Sequence, residues 1–197
     1  MVFIDYVTLM LINMAAGLLI LGWFLVSGWG GTEQRQWAPG FGIVGAVALL
    51  TGLHTIYTWP LPGAFNCIFG ELSVMFGALF LGAAWAVARG LTLRSVSVYA
   101  FFAGLAALIL GIRINVLGLT QQPLMSCIGF CLTGIGGMLV LPVVLIQRNR
   151  ALRIIAAVCL VLAGLLWLLT GYMGYWSHAE TFGPWRPETL QQVEQQK

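Results

Sequence analysis

Three ionisable side chains interrupt otherwise hydrocarbon stretches of this chain: His54, Glu71 and Arg113, with Asn115 two residues past the last. Ionisable groups inside apolar spans are costly and rare, and they mark solute paths, proton relays or ion pairs. A second polar set is Asn13, Ser73 and Thr133, spaced by 60 residues and each four residues before a glycine. Small hydroxyl or amide side chains at one depth could line a conduction path, or could instead satisfy nearby backbone carbonyls. Two imidazoles, His54 and His178, could ligate one haem b, with Arg113 meeting a propionate. His54 with Glu71 is the alternative donor pair for a copper ion. The soft side chains Met10, Met75, Met125, Met173, Cys67, Cys127 and Cys131 would suit copper, although thioethers and thiols are also ordinary core fillers.

These residues are carried by a chain built for lipid. Of 197 residues 60% are hydrophobic and only 8% charged, with mean hydropathy +0.94. A soluble domain carries roughly 25% charge, so the composition specifies an all-α polytopic membrane protein. A span needs about 20 apolar residues, and six segments qualify, near 5–28, 39–59, 65–88, 95–118, 124–146 and 153–175. The runs are too long and too uniformly apolar for barrel strands. The expected layout is a six-helix transmembrane domain over 1–178 and a polar tail over 179–197. The N-terminus lacks the basic leader of a cleaved signal, so its apolar run reads as a retained helix.

The loops after spans one, three and five carry Arg35, Arg89, Arg94, Arg148, Arg150 and Arg153, six basic residues against three elsewhere. The positive-inside rule then puts those loops in the cytoplasm and both termini outside, across the cell (inner) membrane. The rigid turn Trp59-Pro60-Leu61-Pro62-Gly63 falls outside, with His54 and Glu71 just beneath it. Trp29, Trp37, Trp59 and Trp176 fit the interfacial aromatic belt.

An internal repeat is legible. Gly17, Gly77 and Gly137 are each followed four residues later by Leu21, Leu81 and Leu141. In the even spans Gly45, Gly104 and Gly164 are each followed seven residues later by Gly52, Gly111 and Gly171. Three tandem helix hairpins follow, and His54, Arg113 and Met173 share one column. Positions seven apart lie on one helix face, where small residues let backbones approach.

Several chemistries find no support. GxSxG, HExxH and Walker motifs are absent, as are paired carboxylates, so an enzyme is unsupported. The four cysteines form neither CxxC nor CxxCH. Net charge is +3, and no basic patch suits nucleic acid.

The run from Phe69 to Leu110, FGELSVMFGALFLGAAWAVARGLTLRSVSVYAFFAGLAALIL, resembles the third and fourth helices of the urea/amide channel family. The match lies in two Phe-Gly pairs and a short basic loop, and it covers about a fifth of the chain. The resemblance implies a small six-helix protein with both termini outside, its three hairpins forming one protomer and protomers forming a hexameric ring. The chain departs from the family in its fifth helix, where GFCLTGIGGMLVL carries no tryptophan pair. It departs again in its sixth, where RIIAAVCLVLAG carries no glutamate, and in its first outer loop, which is short and lacks histidine. Urea selectivity and acid gating are therefore not carried over. The pattern HTIYTWPLPGAFN…FGE also resembles uncharacterised prokaryotic membrane proteins, which supply no activity.

Two functions follow as expectations. The first is a channel or transporter for a small neutral or weakly acidic solute, homo-oligomeric and without a cofactor. Asn13, Ser73 and Thr133 would line its middle, and His54, Glu71, Arg113 and Asn115 its outer mouth. The alternative is a haem- or metal-binding subunit of a membrane redox complex, using His54 with His178 or Glu71.

Overall fold

A computed structural model describes residues 5–31 and 33–183. Among the described residues there is no strand, and six helices are long and apolar enough to cross a membrane. They are α1 (Tyr6–Trp23), α2 (Ala38–Thr58), α3 (Leu72–Arg89), α4 (Arg94–Leu117), α5 (Pro123–Leu145) and α6 (Arg150–Phe182). A π-helical turn extends α1 over Phe24–Gly28, and another leads into α3 over Asn66–Glu71. This is the multi-pass, all-helical architecture of six spans that the sequence predicts.

Local chemistry sets the ends. Asp5 accepts the Thr8 amide at 3.3 Å and caps α1, and Asn149 accepts the Leu152 amide at 3.0 Å and caps α6. Both satisfy amides that the first helical turn leaves free. Pro123 opens α5 where a missing N–H costs nothing. Gly90 and Gly118 close α3 and α4 at φ +68° and +60°, a conformation other residues avoid. Trp59 closes α2 at φ +49° without being glycine, because Pro60 cannot continue the helix.

The sixth span differs from the sequence reading. It starts at Arg150 and runs for 33 residues, to Phe182. At 1.5 Å per residue that is roughly 50 Å, well beyond a hydrocarbon thickness of about 30 Å. No proline or glycine interrupts it between residue 175 and Phe182, and Gly174 lies against Thr8 of α1. The helix thus passes straight through the expected tail boundary at 178/179. The rest of the tail, with Arg186 and Lys197, lies outside the described residues.

Glycines decide which helices pack closest. Each even helix seats most tightly not on its hairpin partner but on the next odd helix: α2 on α3, α4 on α5, and α6 back on α1. A Cβ on Gly77 would sit 2.4 Å from the backbone nitrogen of Leu49, and one on Gly104 2.5 Å from the carbonyl of Gly134. Gly164 and Gly171 receive the side chains of Leu19 and Ile12 of α1. Without a strong hydrophobic drive inside lipid, such close contact is what holds the bundle together. A large apolar core runs through all six helices, with Phe24, Phe41, Phe130 and Leu160 almost fully buried.

Candidate functional site

Inside the bundle the packing is incomplete along one line. A cavity of about 50 Å³ lies among Met14 and Leu18 of α1, Leu72 and Phe76 of α3, Ala107 of α4 and Phe130 of α5. A second, also about 50 Å³, shares Leu21, Leu79, Phe80, Ala100 and Gly137 with the first and continues to Leu93, Ser97 and Val140. A third, of about 220 Å³, shares Leu93 with the second and opens at the end of the bundle that carries the arginine-rich loops. Together they form a series that reaches the basic end.

The walls of the first two are apolar. Among the described residues, Thr133 is the one polar side chain lining the first cavity, and its hydroxyl is already committed. It donates to the Gly129 carbonyl at 2.8 Å and accepts the indole N–H of Trp167 at 2.9 Å. Ser97 in the second cavity is fully buried and donates to the Arg94 carbonyl at 2.7 Å. Neither hydroxyl has a proton left for a passing molecule. Such a wall desolvates an ion without replacing its hydration, at a prohibitive cost.

A chain of aromatic rings links the first cavity to the turn. Phe130 packs edge-on to Trp167 with centroids 5.0 Å apart and lies 6.0 Å from Phe69, which stands 5.9 Å from Phe65. Phe65 and Leu61 belong to the turn itself and pack onto the core. Asn66, with no exposure, ties that turn down. Its carbonyl oxygen accepts the Leu61 amide at 2.9 Å, and its amide nitrogen donates to the carbonyls of Leu61 and Gly63. The side chain thereby supplies partners that the proline-interrupted backbone cannot supply for itself.

The seven residues expected to form a pore separate into two groups. Asn13, Ser73 and Thr133 point into the bundle, but only Thr133 borders the first cavity. Asn13 donates to the Val44 carbonyl at 2.9 Å and pins α1 to α2, while Ser73 is buried in α3. His54, Glu71, Arg113 and Asn115 are exposed on the outside of the bundle, and none lines the three cavities. Glu71 shares its stripe with exposed Ala78 and Trp85, seven and fourteen residues on, so helix periodicity carries it away from the core. Of the seven, Thr133 alone borders these cavities.

The histidines have separate partners. His54 stacks on Tyr6 with centroids 5.4 Å apart and planes 14° from parallel. His178 Nδ1 lies 2.5 Å from Asp5 Oδ2 and 3.2 Å from Thr8 Oγ1. Both rings are thus committed to the first turn of α1. Among the described residues no three His, Cys, Asp or Glu side chains cluster closely enough to hold a metal ion. The sulfurs of Cys127 and Cys131 stand 3.8 Å apart on α5, without a third donor.

Several of these features escape a linear reading. Asp5 carries only the signal of a helix cap, and its pairing with His178 spans 173 residues. Asn66 stands at the end of a proline- and glycine-rich turn, where an amide side chain commonly bonds the local backbone. Nothing in the sequence brings Phe69, Phe130 and Trp167 together.

Fold and interior define a class: a six-helix membrane protein with small apolar cavities inside one chain. The chain belongs to the family described as proteins of unknown function DUF981, whose model matches residues 1–181. No match is found among curated protein sequences. Among solved structures it is similar to the closed-state cryo-electron microscopy structure of the urea channel of Helicobacter pylori. The TM-score is 0.69 at 18% identity, covering 87% of this chain and 98% of that one.

Proposed function

We propose that this protein is a channel for a small neutral or weakly acidic solute, with one narrow path inside each protomer. The observation that carries the reading is a series of three cavities that border one another, the first two sharing Leu21, Leu79, Phe80, Ala100 and Gly137 and the last two sharing Leu93. An apolar constriction conducts only what tolerates partial dehydration, and it closes by drying out. Small uncharged molecules meet that requirement and ions do not. Likeness in fold to a urea channel supports the same reading.

The basic end then faces the cytoplasm, and the Trp59 turn and both termini face outward across the inner membrane. The packing of α2 on α3, α4 on α5 and α6 on α1 supports three structural repeats around the path. Exposed Glu71 and Arg113 would be covered by a neighbouring protomer in a homo-oligomeric ring, which spares them contact with lipid.

Flux through proteoliposomes tests the reading. Vesicles holding the protein should pass urea, acetamide or glycerol faster than protein-free vesicles, without passing sodium or chloride. Leu79 borders both inner cavities, so Leu79→Trp should block the path and Leu79→Ala should widen it. Equal flux in all three proteins, or none above protein-free vesicles, refutes the channel.

A further inference from the structure

We propose that the mouth at the basic end is a binding site for a small monocarboxylate, with Arg94 as its anchor. The inference rests on the channel reading only for its role in permeation; the site is defined by its own geometry. The cavity there, about 220 Å³, is bordered by the polar side chains of Gln34, Thr92, Arg94 and Gln147 and by the apolar ones of Trp29, Leu93 and Val144. Three separate loops supply these groups, so the site exists only in the folded bundle.

The charge at this mouth is uncompensated. The segments at this end hold six arginines (Arg35, Arg89, Arg94, Arg148, Arg150 and Arg153) and one acid, Glu33. Among the described residues the one ion pair is Asp5 with His178, at the other end, so no carboxylate meets Arg94. A second guanidinium stands close by: a Cβ on Gly90 would lie 4.0 Å from Arg35 Nη2. A guanidinium fork matches a carboxylate with two parallel hydrogen bonds, which a single ammonium cannot reproduce. The amides of Gln34 and Gln147 and the hydroxyl of Thr92 are further donors for the same head group.

The apolar part of the lining selects the rest of the ligand. Leu93 borders both this cavity and the apolar path behind it. A short alkyl tail can lie on Leu93 and Val144 while the head group meets Arg94. Phosphate and other tailless anions leave that wall uncovered. The solute class is therefore a weak acid with a short hydrocarbon chain. Its neutral form suits the path, and its anion, formed when the proton leaves to bulk water, suits the mouth.

Propionate is the probe. The full-length protein, purified in detergent, is titrated with propionate at constant ionic strength, and binding is read by saturation-transfer NMR. Saturable binding is expected, and Arg94→Gln should weaken it by about tenfold or more, the loss of a charge-assisted bidentate pair. Arg94→Lys should retain part of the affinity, and Gln147→Leu should lower it less than Arg94→Gln. Arg89→Gln should leave it unchanged, since Arg89 does not border the cavity. Binding that does not saturate, or that survives both Arg94→Gln and Gln147→Leu, overturns the site. Displacement of propionate by a lower concentration of inorganic phosphate also overturns it and reassigns the mouth to a lipid phosphate. Propionate binding without neutral-solute flux refutes the channel alone, and flux without binding refutes this site alone.

Discussion

Replacing Gly77 by alanine should separate two helices that the fold holds in backbone contact. The added carbon would lie 2.4 Å from the Leu49 nitrogen and 2.7 Å from its Cα. Both are backbone atoms and cannot turn aside as a side-chain tip would. Restoring ordinary contact at about 3.4 Å requires α2 and α3 to part by roughly 1 Å, and a gap of that size forfeits about a quarter to a half of each contact along the seam. The seam cannot absorb the shift elsewhere. Gly45 and Gly52 would place their own Cβ atoms 2.7 Å from the backbone nitrogens of Leu81 and Val74. Overpacking of this kind costs about 1–3 kcal/mol, and the rigid backbone on both sides places Gly77→Ala near the upper end. Thermal unfolding of the detergent-purified protein measures it. Gly82→Ala is the control, because its Cβ would stand 3.8 Å from Val96 Cγ2 and relieve the roughly 1 kcal/mol helix penalty of glycine. If Gly77→Ala unfolds at the wild-type temperature, or moves in the same direction as Gly82→Ala, the close-packed seam is not what holds α2 to α3.

Asn66→Leu should lower stability by about 1–3 kcal/mol, because it strands one backbone amide and two carbonyls of the turn. Limited proteolysis should then cut at Trp59–Phe65, and an unchanged digestion pattern would show that the turn holds itself. Thr133→Val should cost about 1–3 kcal/mol by leaving the buried Trp167 N–H without an acceptor. Adding Trp167→Phe should recover part of that loss, and a double variant whose cost is the sum of the two singles would refute the coupling.

The sequence by itself determined the class of molecule, because the hydrophobic requirement of a span is additive and local. Six apolar runs, their glycine and proline ends and the one-sided arginines are all legible residue by residue. The periodic glycines were legible too, but not their consequences. Gly17, Gly77 and Gly137 share one column of the repeat, yet a Cβ would meet the side chains of Phe76 and Val44 at 2.7 Å in the first. It would meet backbone at 2.4 Å in the second and only ordinary contacts from 3.5 Å in the third. Equal spacing along the chain does not fix equal spacing between helices, since the distance depends on the partner's side chains.

Tertiary structure alone decided which polar residues face the interior. Asn13, Ser73 and Thr133 lie on buried faces, while His54, Glu71, Arg113 and Asn115 lie on exposed ones. An ionisable residue in an apolar run shows the same letter in both cases. Its direction depends on the rotation of its helix about its own axis, and that rotation is set by glycine seams formed with distant segments. The cavities beside Leu79 and Phe80, the Phe69–Phe130–Trp167 cluster and the cavity bordered by Arg94 arise in the same way. Each is assembled from side chains of several helices or loops, and each exists only once α2 has seated on α3, α4 on α5 and α6 on α1.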